Sequence, residues 1–149
     1  MLVGEKMINK LLIANRGAIA SRIIRTCKEI GIKTVAIYSE ADKDAPFVTD
    51  ADDSILIWEA HVRDSYLNTN KIIDIAKQKN VDAIHPGYGF LSENSTFANM
   101  CEEAGIIFIG PTSKQIKQMG NKIEARNQMK RFGIPVIPGT DNPIHSLEE

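Results

Sequence analysis

Short, continuous apolar runs alternate along this chain with segments of helical periodicity, and that alternation leaves few folds open. Residues 10–14, 34–38, 54–57, 81–84 and 106–109 read as strands. Residues 17–30, 68–79 and 95–104 read as helices. Strands without polar alternation need cover on both faces, and helices between them supply it. The pattern predicts an α/β fold: a parallel sheet with helices on both faces. Ile19, Ile23, Cys27 and Ile30 take core spacing in the first helix, and Ile72, Ile73, Ile75 and Ala76 in the second. Ile30-Gly31-Ile32, Ala104-Gly105-Ile106 and Phe132-Gly133-Ile134 read as helix-to-strand joints. In each, glycine takes the left-handed position and the following isoleucine packs back.

The style changes after Gly110-Pro111. Thr112 and Gln115 fit a capping box. A short helix is predicted to Met119 and a second from Asn121 to Phe132, followed by an extended, proline-punctuated run. The predicted organisation is a domain over 1–111, then linker helices and the truncated start of another region over 112–149. The 149 residues suffice for one core. With 18 basic and 19 acidic residues, there is no electrostatic case for nucleic acid or an anionic membrane. No apolar run reaches bilayer length, and residues 1–6 lack signal-peptide character. Cys27 and Cys101 read as buried thiols of a cytoplasmic protein rather than a disulfide or metal pair.

The decapeptide running from His85 to Asn94, HPGYGFLSEN, joins a strand to a helix through a glycine-rich turn. Free backbone N–H groups and close main-chain approach make such turns ligand sites. Tyr88 and Phe90 are large aromatics in a turn that is otherwise polar, which favours ligand contact over a plain turn. Glu93 argues against a pure phosphate site, because a carboxylate there can itself satisfy the helix dipole. The earlier turn after the first strand, Asn15-Arg16-Gly17-Ala18-Ile19-Ala20, occupies the place of a dinucleotide-binding turn, with Glu40 where a ribose-binding acid would lie. It reads N-x-G-x-x-A and lacks the first glycine of the G-x-G-x-x-G fingerprint, so it argues against NAD. Arg22, Arg25 and Glu29 share one helix face, read from chemistry alone as solvated with weak ion pairs. Lys122 opens the last helix, where a cation suits an anion bound at the same end; by itself it reads as a surface lysine. Asp42, Asp44, Asp50, Asp52 and Asp53 read as a solvated acidic loop. His61 and His145 have no evident partner, and His85 reads as a packing or hydrogen-bonding residue at a strand end.

Taken in order, residues 12–17, 34–42, 65–68, 85–94, 108–111 and 119–122 resemble the N-terminal part of biotin carboxylase, and the resemblance covers nearly the whole chain. It implies a Rossmann-like, pre-ATP-grasp domain without a dinucleotide, leading into an ATP-grasp region. It implies a ligase that uses ATP and Mg²⁺ to activate bicarbonate as carboxyphosphate and carboxylates biotin on a carrier protein. Acetyl-CoA, propionyl-CoA and pyruvate carboxylases contain this component, beside a biotin carboxyl carrier protein and a carboxyltransferase. By resemblance Lys122 contacts ATP, Tyr88 and Gly89 lie near biotin, and Arg22, Arg25 and Glu29 lie near the interface of a homodimer. The family's metal-binding and catalytic residues lie C-terminal to this stretch, so these residues are expected to hold no catalytic group and to be inactive alone. The other readings are a truncated paralogue that docks on full-length subunits and another ATP-grasp ligase. Ala18 and Asn121 depart from the family, which has Glu and Asp there, and so unsettle the pairing of Arg16 and Lys122.

Overall fold

A computed structural model describes residues 7–57 and 60–140; His145 lies outside them. The sheet has five strands: β1 (Lys10–Ile13), β2 (Lys33–Tyr38), β3 (Asp53–Leu56), β4 (Ala83–His85) and β5 (Ile107–Phe108). All pair in parallel, in the order β3-β2-β1-β4-β5. The connecting helices are α1 (Gly17–Glu29), the short α2 (Pro46–Asp50), α3 (Thr69–Gln78) and α4 (Ser95–Glu103). The helices α5 (Ser113–Gly120) and α6 (Lys122–Arg131) follow.

Side chains alternate across each strand and so divide the core in two. Leu12, Val35, Ile37 and Ile84 pack with α3 and α4, whereas Leu11, Ile13, Ala36 and Ala83 pack with α1 and α2. This is the expected doubly covered parallel sheet. Ile116 of α5 joins the α3/α4 side, and the Thr112–Gln115 capping box is formed.

Gly31, Gly105 and Gly133 all have left-handed backbones, and the following isoleucine donates back to the carbonyl of Cys27, Cys101 or Met129. The third joint does not lead into a strand: residues 134–140 carry none. Ile30 also departs from expectation. It lies past the last full turn of α1 and is 64% exposed, while Ile24 takes the core position.

The acidic loop is not simply solvated. Asp52 binds the start of β2, accepting from the Thr34 backbone N–H at 2.9 Å, the Thr34 hydroxyl at 2.9 Å and Lys33 Nζ at 2.8 Å. The Lys33 ammonium, then the Thr34 N–H, hold its carboxyl at about 2 against an ordinary 3.8. Because the folded value lies below the unfolded one, this stabilisation is complete above the ordinary value and is lost as pH falls through about 2. The urea midpoint is therefore expected to drop between about pH 4 and about pH 2, and less steeply in Asp52→Asn.

Candidate functional site: a crevice at the switch point of the sheet

From β1 the chain winds outward through β2 to β3, then returns to place β4 on the other side of β1. The loops leaving β1 and β4 therefore diverge, and a crevice opens between them at the carboxyl end of the sheet. Asn15, Arg16 and Gly17 form one wall, and Tyr88, Gly89 and Phe90 the other, around a volume of ≈ 590 Å³.

One side chain closes the floor. Asn15 is buried and donates from Nδ2 to the carbonyls of Pro86 at 2.7 Å and Tyr88 at 2.9 Å, while Oδ1 accepts from the Arg16 N–H at 2.9 Å. The asparagine that spoils the dinucleotide fingerprint thus bridges the two loops. Gly87 makes this possible: its φ is +68°, and a Cβ there would lie 2.7 Å from Asn15 Nδ2. Gly89, at φ +65°, has open space where its Cβ would be, so a ligand can approach its backbone. Tyr88 is 68% exposed at the mouth.

The rest of the turn is fixed from below. His85 Nδ1 accepts from the Gly87 N–H at 3.0 Å, which places its proton on Nε2. Burial lowers its pKa, favouring the neutral form this bond requires. Asn94, not Glu93, caps α4, accepting from the Phe97 N–H at 2.9 Å. Leu91 is buried and anchors the turn in the core.

A second chain of contacts was not legible in the sequence. Arg16 pairs with Asp42 at 3.0 Å. Asp42 also accepts from the Ser39 hydroxyl at 2.9 Å and the Tyr66 hydroxyl at 2.7 Å. Tyr66 is 1% exposed, and its ring stacks on Phe90 at 5.4 Å and 7°. Burial first, then Asp42, raise the phenol far above its usual value, so it stays a donor. Glu40 does not take the place of a ribose-binding acid. It opens a single 3₁₀ turn, Glu40–Asp42, and pairs with Lys43 at the surface. His61, for which the sequence suggested no partner, accepts from the Arg63 N–H within its own turn.

The other sequence candidates lie on other elements. Arg22, Arg25 and Glu29 do share an exposed face of α1, along a shallow groove with Ala18, Lys28 and Asp50. The expected ion pairs on that face are not formed: Arg22 reaches the Thr26 hydroxyl, and Arg25 and Glu29 have no ion partner among the described residues. Lys122 is exposed at the start of α6. Asn121, in place of the family's Asp, still caps this helix by accepting from the N–H groups of Ile123 at 3.0 Å and Glu124 at 3.2 Å, so the departure leaves the helix start intact. Ala18 leaves the first turn of α1 without an acidic residue. Cys27 and Cys101 are free and buried, and burial pushes the Cys101 thiol up to about 12. Among the described residues no helix is long and apolar enough to cross a membrane.

Known proteins share both the sequence and the fold. Biotin carboxylase 2 of Bacillus subtilis is 56% identical over 142 residues, which are 95% of this chain and 32% of that protein. The mitochondrial methylcrotonoyl-CoA carboxylase subunit alpha of Dictyostelium discoideum is 59% identical over 95% of the chain and 20% of its own length. The biotin carboxylase domain dimer of Hydrogenobacter thermophilus 2-oxoglutarate carboxylase, solved with MgADP, ADP and bicarbonate, superposes with a TM-score of 0.89 at 49% identity. That match covers 97% of this chain and 32% of the solved one. The chain thus spans about a third of the biotin carboxylases it matches. The biotin carboxylase N-terminal domain profile matches residues 7–116, a span that holds the whole sheet and both walls of the crevice. By sequence and by fold, this chain belongs to the biotin carboxylase N-terminal domain family.

Proposed function

We propose that the chain supplies one wall of a biotin site and one ATP-contacting lysine to a biotin carboxylase. That enzyme uses ATP, Mg²⁺ and bicarbonate to carboxylate biotin on a carrier protein. The observation that carries the reading is the crevice itself. Asn15 fills its floor where a dinucleotide turn would need glycine, while the open backbone of Gly89 and the exposed ring of Tyr88 remain for a small, flat ligand. An exposed aromatic beside bare main chain suits a ureido ring, which stacks and hydrogen-bonds to peptide groups. Lys122, exposed at the first position of α6, carries an ammonium that suits a nucleotide phosphate.

Residues 1–111 form the biotin-side domain in this reading, and 112–149 lead into the nucleotide-binding region. Exposed Arg25 and Glu29, unpaired among the described residues, support the α1 face as the homodimer contact. The two free, buried thiols support a reducing compartment, the cytoplasm. The substrate of the accompanying carboxyltransferase, acetyl-CoA or another, is set outside these residues.

The protein that carries this chain is expected to cleave ATP only with bicarbonate, faster when free biotin is added. Lys122→Ala is expected to raise the KM for ATP about tenfold, or ~1.4 kcal/mol. The 149 residues alone are expected to show no such cleavage and at most weak ADP binding by calorimetry. Bicarbonate-independent ATP cleavage by the whole protein, or turnover by these residues alone, contradicts the reading.

A further inference from the structure

We infer that Asp42 and Tyr66 are positioning residues that set the distance between the two walls of the crevice. The inference rests on reading the Tyr88–Gly89 turn as the biotin side of the site. Asp42 follows β2, away from both crevice loops in sequence, yet its carboxylate takes three side-chain donors. Arg16 Nη1 comes from the β1 loop at 3.0 Å, the Ser39 hydroxyl from the end of β2 at 2.9 Å, and the Tyr66 hydroxyl from the segment before α3 at 2.7 Å. The Asp42 side chain is only 15% exposed, so water replaces these partners poorly and the geometry is held tightly.

Tyr66 carries the constraint across the crevice. Its hydroxyl is fully engaged, donating to Asp42 and accepting from the Ser39 N–H at 3.1 Å. Its ring lies parallel to Phe90, 5.4 Å away. Phe90 has φ +44°, a left-handed backbone that a residue with a Cβ adopts only when its surroundings hold it there. The stack on an immobilised ring is such a hold. Phe90 directly follows Gly89, so the Tyr66 ring fixes where the Tyr88–Gly89 backbone sits. Arg16 on one wall and Phe90 on the other are therefore referred to one carboxylate. A plain core tyrosine would need the ring but not this hydroxyl network, and a plain surface ion pair would need Arg16 but not Tyr66.

The test uses the whole protein that carries this chain, with Tyr66→Phe and Asp42→Asn. Tyr66→Phe keeps the ring and removes the link; Asp42→Asn keeps the shape and weakens the hold on both walls. Steady-state kinetics are expected to show KM for free biotin raised about tenfold in Asp42→Asn and about threefold in Tyr66→Phe. Bicarbonate-dependent ATP cleavage without biotin should stay within about twofold of wild type in Tyr66→Phe. Hydrogen exchange of the 87–91 amides should quicken in both variants while the strand amides of β1 stay protected. Unchanged exchange at 87–91 overturns the positioning role, whatever the ligand. Equal loss of biotin-dependent and biotin-independent rates, with faster exchange throughout, overturns it in favour of general stability. A wild-type enzyme that ignores biotin instead refutes the biotin reading, and the exchange data still decide the positioning role.

Discussion

Gly87→Ala is expected to destabilise the domain by about 3 kcal/mol, against about 1 kcal/mol for Gly89→Ala. Both glycines have nearly the same left-handed backbone, φ +68° and +65°. A Cβ in that region costs ~1–2 kcal/mol at either position. Only at Gly87 does it also meet a neighbour, Asn15 Nδ2 at 2.7 Å with Cγ at 3.1 Å. That amide is already held by two carbonyls and cannot step aside without breaking a bond. Overpacking at a constrained contact adds roughly another 1–3 kcal/mol. Urea unfolding of the two variants side by side separates the shared backbone cost from the clash. Equal losses would show that the loop gives way at Gly87 and that the Asn15 bridge does not fix it.

Removing the other half of the bridge is expected to cost about as much. Asn15→Ala leaves the buried Pro86 carbonyl without its donor, at ~1–3 kcal/mol, and the part-buried Tyr88 carbonyl without its own, at a smaller cost because water can reach it. Asn15→Asp is expected to be worse at neutral pH, because a buried carboxylate would face two carbonyl oxygens. Protonation restores one donor, so the folded form holds the proton more tightly than the unfolded chain does. The folded pKa is thus raised, and the loss is greatest above it and shrinks as pH falls through it. Denaturation at neutral pH and near pH ~5 should therefore bring Asn15→Asp toward wild type on acidification, while Asn15→Ala keeps its deficit. Parallel behaviour of the two would mean that the Asn15 amide is not the linking donor.

The sheet and its covering helices were legible because the signals are local. Apolar runs mark strands, and glycine after a helix marks its end. The same local logic misses the fourth joint: Asn80 ends α3 with a left-handed φ of +49°, and the Val81 N–H returns to Ala76. Asparagine does there what glycine does elsewhere, without the visible mark. The short helix α2 escaped because five residues have no period to read, although Phe47 within it is fully buried.

At the site, the His85–Asn94 turn was visible from composition, but what holds it was not. Asn15 and Pro86 are 71 residues apart, and Tyr66 and Asp42 are 24 apart. Pairings at such separations are made by the order of strands, which no window of sequence reveals. Asp42 looked like one carboxylate among five in an acidic loop, yet two of those five anchor backbone or crevice. The absent first glycine of the fingerprint was the one available sign that Asn15 does something else. It was legible as a missing feature and became positive only when β4 was placed beside β1.

The crevice between the β1 and β4 loops is proposed to face biotin rather than a nucleotide. A crystal structure of the whole protein with biotin, bicarbonate and MgADP tests it most directly. The expected result is a biotin ring against the Tyr88–Gly89 turn, with the nucleotide phosphates near Lys122. A nucleotide seated between Asn15 and Gly89, with biotin elsewhere, would contradict the account.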